Sequence, residues 1–436
     1  MKAARSRVTW AFLVLMAAAV AAQGASPGGG RPSASKADPF PIAAGALGDK
    51  GMQVLWQTEL MLDNEPPLAN LWLCGRFLVG RAADNRLFAI NAATGVRLWS
   101  RQVAEPYQKV WQPAVDKDNL WVATTTKLLG IGGLDGKQLL TVDLDFSPAG
   151  QPLTNGAHVF IPDAKGWLQA VSILHRGVSW GRWTDDAVTA APALDSSLVY
   201  FGSQSGVVYA STQNVRRIQW EHQTEGAIVA DLQHTKTGLV LVASLDYTLY
   251  AFAGPSGRVA WKYNAGEPLR KTPYAIGNQV FVFTPEAGLT TLDATSGKKQ
   301  WTLAEGADFL STDTETVYVI GRSGRLLAVS RTDGKVKFDF ALRPGTLVAV
   351  NETDSGIVYL ATPNGAIMAI ARKGLPAEEK KPEPAETPTP TPPEHKKPPT
   401  ADTKKPAGDE TKPPEVKETP APAPAEAKPA EPAPAK

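Results

Sequence analysis

A period of about forty residues constrains this chain more than any other feature. The small residues Ala89, Gly130, Ala170, Ala210, Ala251, Thr291, Ala328 and Ala369, six of them following a short apolar pair, are spaced 41, 40, 40, 41, 40, 37 and 41 residues apart. A second series runs in step with them: Trp56, Trp99, Leu140, Trp180, Trp220, Trp261, Trp301 and Phe338. It takes in six of the twelve tryptophans, so the beat is carried by the costliest side chain to misplace. In five units glycine stands four residues ahead of this position, at Gly95, Gly136, Gly257, Gly297 and Gly334. A tight turn there needs positive φ, which glycine adopts without steric cost.

The units read as strands. Residues 199–201, 207–211 and 218–220 are short β-favourable runs at hairpin spacing, and the pattern returns at 239–243, 248–252 and 258–261, and again at 279–283, 289–292 and 299–301. An earlier apolar run, 191–194 in the first example, supplies a fourth strand. Four strands per forty residues make a propeller blade. The eighth unit, 357–370, ends without an outer strand, whereas Val54, Leu55 and Trp56 precede the first full unit with no partner. The expected fold is therefore all-β: an eight-bladed β-propeller over 51–375, closed by its N-terminal strand. Closure hides the sheet edges that an open solenoid or two small domains, the alternatives, leave bare.

Composition matters at the two ends. Lys2, Arg5 and Arg7 precede a mostly apolar run over 8–22, so 1–25 reads as an export signal. An uncleaved anchor is the alternative, although the run is shorter than the roughly 20 residues a spanning helix needs. Residues 26–50, with Gly28, Gly29 and Gly30, read as a flexible linker. Residues 376–436 hold eighteen of the 36 prolines and no aromatic residue, so a disordered Pro-rich C-terminal tail is expected there. In polyproline geometry its contour reaches roughly 190 Å, the reach of a spacer.

Charge and side-chain inventory narrow the chemistry. Forty-five Lys and Arg against 43 Asp and Glu give a net charge of +2, too little for nucleic acid to be the main partner. The single cysteine, Cys74, excludes an internal disulfide framework and a thiolate-cluster zinc site. His158, His175, His222, His234 and His395 show no paired metal spacing, and no G-x-S-x-G, phosphate-binding glycine loop or H-E-x-x-H occurs. Asp185-Asp186 is the one adjacent acidic pair in the repeat region, and a solvated loop pair is its simplest reading.

Residues 93–99 (ATGVRLW), 255–261 (PSGRVAW) and 295–301 (TSGKKQW) resemble the tryptophan-docking repeat of pyrroloquinoline-quinone-type eight-bladed propellers, and the resemblance covers about 52–373. Leu140 and Phe338 depart from it, Arg216 stands in the glycine position, and Gly177 comes one residue late. The resemblance implies that the indoles are structural, docking each blade on its neighbour. Quinoprotein alcohol dehydrogenases of this family use adjacent cysteines and long inter-blade insertions, neither of which this chain has, so no catalytic residue, cofactor or metal is expected. A non-enzymatic propeller lipoprotein of the bacterial outer-membrane β-barrel assembly machinery shares the compact repeat; here the lipid-acceptor cysteine is missing and a tail is added.

The expectation is a scaffold of the cell envelope, periplasmic or otherwise exported, a monomer within a larger complex. Its partners would be envelope or outer-membrane proteins, with no membrane span after signal cleavage. A carbohydrate- or peptide-binding envelope sensor and a quinone-dependent dehydrogenase are the alternatives. In a propeller, inter-blade loops share a face with the middle hairpin turns. The candidate partner-binding face thus comprises Tyr107, Lys109, Trp111, Trp183, Asp185, Asp186, Arg270 and Lys271 from the loops, with Arg81, Tyr247 and Arg322 from the turns.

Overall fold

The structure, a computed structural model, describes residues 38–62 and 66–374. The expected export signal (1–25) and the expected tail (376–436) lie outside the described residues. Thirty-two strands form eight four-stranded antiparallel sheets, and seven of these use consecutive strands, inner to outer. The first blade is Leu68–Cys74, Phe77–Ala82, Arg86–Asn91 and Arg97–Gln102. The eighth is Leu347–Ala349, Val358–Ala361, Ala366–Arg372 and then Met52–Glu59, the first strand of the chain. Met52 lies opposite Arg372 and Glu59 opposite Ala366, so the two ends of the repeat region share one sheet.

The two sequence series meet in every blade. Ala89 is paired with Trp99, Gly130 with Leu140, Ala170 with Trp180, and Ala210 with Trp220. Ala251 is paired with Trp261, Thr291 with Trp301, Ala328 with Phe338, and Ala369 with Trp56. A small residue is needed because the large one leans across it toward the next blade. In all eight sheets the register slips by one residue beside this pair, a β-bulge. Bulges bend the strand and sharpen its twist, re-aiming the following side chain.

The re-aimed indoles reach their neighbours. Trp56 Nε1 donates to Ala92 O (2.9 Å), Trp99 to Gly133 O (2.8 Å), Trp180 to Gln213 O (3.1 Å) and Trp220 to Gly254 O (2.6 Å). Trp261 donates to Ala294 O (3.0 Å) and Trp301 to Arg331 O (2.9 Å). Each acceptor lies in the outer hairpin turn of the following blade. A net of about 1 kcal/mol per bond is small beside the burial of the ring itself. The turn glycine faces the same indole: a Cβ built on Gly257 would lie 2.4 Å from Trp220 Cδ2. Its positive φ, +67°, is thus one of two reasons for glycine there.

The departures follow the same logic. Blade 2 presents Leu140, and the turn it faces in blade 3 tolerates Arg176 at φ 56°, since no indole has to be cleared. Trp121, on the second strand of blade 2, is buried in one cluster with Leu140, Val159, Ile161 and Val171, supplying from another strand the bulk that a docking tryptophan provides elsewhere. A Cβ on Gly130 would lie 2.7 Å from Trp121 Cζ3, which explains glycine at a position held by alanine in most blades.

Part of the expected linker requires correction. Over 38–50 the chain is packed: Ala44–Gly48 forms a short helix, and Ile42 and Leu47 are buried with Met52, Leu310, Tyr318, Phe340 and Leu360. Two buried aliphatic side chains, with Phe40 packed against the same cluster, pin the segment across blades 7 and 8, where Phe338 replaces a docking indole.

Candidate functional site

Among the described residues, two concave regions and one face are candidate places where a ligand or partner can be met. The inner strands enclose an axial channel of about 880 Å³, lined by residues of most blades. Opening from it between blades 1 and 2 is a groove of about 530 Å³, and Asn70, Trp72, Gln112 and Gln151 line both.

Two carboxyls stand in the channel wall, Asp231 before the inner strand of blade 5 and Glu352 after that of blade 8. Asp231 accepts from the Ala191 N–H (2.7 Å) and the Thr272 hydroxyl (3.3 Å), yet burial outweighs both bonds and raises its pKa. Glu352 keeps exposed surface, but that surface looks into confined space. Desolvation, with a smaller contribution from the charge of Asp231, raises its pKa as well. Tyr274, beside them, is pushed upward mainly by burial.

A carboxyl raised in the folded state binds its proton more tightly there than in the unfolded chain. Its contribution to stability is present below the unfolded carboxyl pKa and is lost as pH rises through the folded value. Asp231→Asn, which keeps an acceptor for Ala191, is therefore expected to raise the melting temperature at about pH 7.5 and to leave it nearly unchanged at about pH 4. Thermal melts at the two pH values check this; an equal shift at both would remove the electrostatic account.

Other titratable groups do less. Cys74 is fully enclosed, its thiol 3.5 Å from Pro113 O, and burial pushes its pKa up to about 12, which leaves no thiolate for chemistry. Among the described residues no group of three or more His, Cys, Asp or Glu side chains is arranged to hold a metal ion.

Inter-blade loops and middle hairpin turns do share one face, tied by hydrogen bonds such as Thr184 N to Gly166 O and Ala265 N to Tyr247 O. The candidate residues divide on it. Tyr107 is 85% exposed, Trp183 52% and Tyr247 48%, and Asp185, Asp186 and Arg270 are also exposed. Lys271 is tied down by Asp308 (2.8 Å) and lies 4.3 Å from the Phe283 ring centroid, while Arg322 donates to Glu286 O (2.9 Å). Trp111 is buried, with the Lys109 ammonium 4.8 Å from its ring centroid, so it does not offer the open surface expected of it. Arg81 is half-buried. Arg81, Lys109 and Trp111 meet in the groove; the rest are spread around the ring by blade.

The sequence reading missed both channel carboxyls and a set of exposed apolar residues on the opposite face. Leu134, Leu174 and Val215, in the outer turns of three consecutive blades, are 50%, 81% and 59% exposed. Their signal was an apolar residue in the middle of a short turn between the third and outer strands, beside polar or glycine neighbours such as Asp135, His175 and Asn214. No helix among the described residues is long and apolar enough to cross a membrane.

Compared with known proteins, residues 83–227 and 204–337, together more than half of the chain, match the family described as outer membrane protein assembly factor BamB. An outer membrane protein assembly factor BamB from Burkholderia pseudomallei (strain K96243) is 24% identical over 208 residues, 46% of this chain. That alignment spans about half of the relative's own length, 49%. BamB from Moraxella catarrhalis superposes with a TM-score of 0.59 at 14% identity, covering 73% of this chain and 99% of that one. The computationally designed Ika8 protein gives 0.59 at 14% identity, covering 72% and 98%. The C-terminal WD40 domain of Sif2 gives 0.58 at 10%, covering 73% and 98%. These structural likenesses describe a shared fold. The family match, falling on the blades whose bulged, indole-docked repeat is described above, identifies the chain as a member of the BamB family.

Proposed function

We propose that this protein is an exported, non-enzymatic propeller scaffold of the bacterial cell envelope that takes part in outer-membrane protein assembly. Membership of the BamB family carries this reading. The near-constant repeat length supports it, because blades joined without long insertions leave no added pocket walls around the channel. The docking surface proposed is the face formed by the inter-blade loops and middle turns, with Tyr107, Trp183 and Tyr247 as its aromatic anchors. Aromatic side chains that become buried on binding supply most of the interface energy in known complexes.

Replacing these three by alanine touches only exposed side chains, so stability should change by no more than about 0.5 kcal/mol per site. Recovery of crosslinked envelope proteins from cells is expected to fall at least about tenfold. The matching variant carrying Leu134→Ser, Leu174→Ser and Val215→Ser should retain its partners. If the second variant loses them and the first does not, the docking face is the opposite one. If neither loses them, the scaffold reading fails.

A further inference from the structure

The groove between blades 1 and 2 has the features of a ligand site, and they centre on Arg81. Its Nε and Nη2 donate to Asn70 Oδ1 and its Nη1 to Asn85 Oδ1 (2.8 Å), so three of its five N–H groups are used and two remain. Asn85 is fully buried at φ +69°, and its Nδ2 donates to Glu105 O and Gln108 O (2.7 Å each). With both amide hydrogens committed to the inter-blade loop, the Asn85 oxygen has to face Arg81. Among the described residues the guanidinium is therefore held in place by neutral acceptors, and none of these bonds neutralises its charge. A half-buried cation without an anionic partner is costly, the usual compensation being a carboxylate.

The walls of the groove continue the pattern. Among the described residues they include a second cation, Lys109, seated on the buried Trp111, and no carboxylate. Trp72 is half-buried and lines both groove and channel, while Gln112 and Gln151 bring amides that both donate and accept. About 530 Å³ suits a small ligand. We propose that this groove binds an acidic saccharide, with the carboxylate on Arg81 and Lys109, a pyranose face against Trp72, and hydroxyls on Gln112 and Gln151. An acidic peptide would satisfy the cations alone. The sugar chemistry also accounts for a half-buried indole at the groove and for amides that need groups able both to donate and to accept hydrogen bonds. The inference stands apart from the scaffold reading, since it concerns a small-molecule site rather than the loop face.

The test is titration of the purified protein by calorimetry and saturation-transfer NMR with digalacturonate, with neutral galactobiose and with tetraglutamate. Saturable binding of digalacturonate is expected at least about tenfold tighter than galactobiose, a difference of about 1.4 kcal/mol. Arg81→Gln should reduce that preference severalfold, and Trp72→Leu should weaken both sugars alike. Because Arg81 also ties Asn70 to Asn85, Lys109→Gln serves as the second variant; it loses only a cation above a ring and should cut digalacturonate affinity severalfold. Absence of saturable binding, binding of tetraglutamate as tight as that of digalacturonate, or unchanged affinity in Lys109→Gln would each overturn the proposal.

Discussion

Deleting the closing strand, residues 52–59, is expected to abolish the cooperative folded state rather than to weaken it. The strand supplies the outer edge of blade 8 and, through Trp56, the indole that docks on blade 1 at Ala92 O. Its loss exposes an unpaired edge at Ala366–Arg372 and opens the seam between two blades at once. Repeat arrays draw cooperativity from their nearest-neighbour interfaces, and a ring with one interface missing unfolds from that gap. The prediction is read by urea denaturation followed by both tryptophan fluorescence and far-ultraviolet dichroism. The intact chain should give one coincident transition; the deletion should give aggregation or two separated ones. A single sharp transition within about 0.5 kcal/mol of the parent would show that the seam is dispensable.

The second large effect concerns the turn glycines. Gly257→Ala combines strain at φ +67° with a Cβ only 2.4 Å from the Trp220 ring. The first contribution is about 1–2 kcal/mol and the second, forced overpacking, about 1–3 kcal/mol. Gly324→Ala separates them, because Gly324 has a similar φ of +72° and nothing within 4 Å of the added atom. The Gly257 variant should therefore lose at least about 1 kcal/mol more than the Gly324 variant. In a Trp220→Leu background that excess should shrink, giving a measurable coupling energy. Equal losses at the two glycines, in either background, would mean that the indole moves aside freely.

These two residues also show how far the sequence could be read. The period of the repeat and the pairing of a small residue with a large one are local facts, repeated often enough to name the blade, and the orphan Trp56 strand gave the closure. The second duty of Gly257, clearing the indole of the preceding blade, involves residues 37 positions apart and was not legible from one unit. The exchange of Leu140 for Trp121 was hidden for the same reason: the bulk is kept between blades, whereas a repeat alignment compares positions within them. Ile42 and Leu47 went unnoticed because two apolar residues among alanine and glycine leave composition unchanged while still filling a seam. Of the candidate face, exposure at Tyr107, Trp183 and Tyr247 followed from their place in turns and loops. Trp111 did not, because its loop folds inward and bridges to the middle turn of the next blade, with Val110 opposite Thr124. Asp231 and Glu352 come together only through the ring, which no linear spacing records.

The seam also sets a timetable. Glu59 pairs with Ala366, 307 positions later, so a polypeptide made from its N-terminus produces one strand of the final sheet first and the other three last. At about 5–20 residues per second, roughly fifteen to sixty seconds separate them. Throughout that interval Val54, Leu55 and Trp56 have no native partner strand. A neighbouring nascent chain offers the same complementary edge, and exchange between molecules competes with self-completion. Dilution, or a binding protein that shields the first strand until Arg372 has emerged, favours the monomeric outcome.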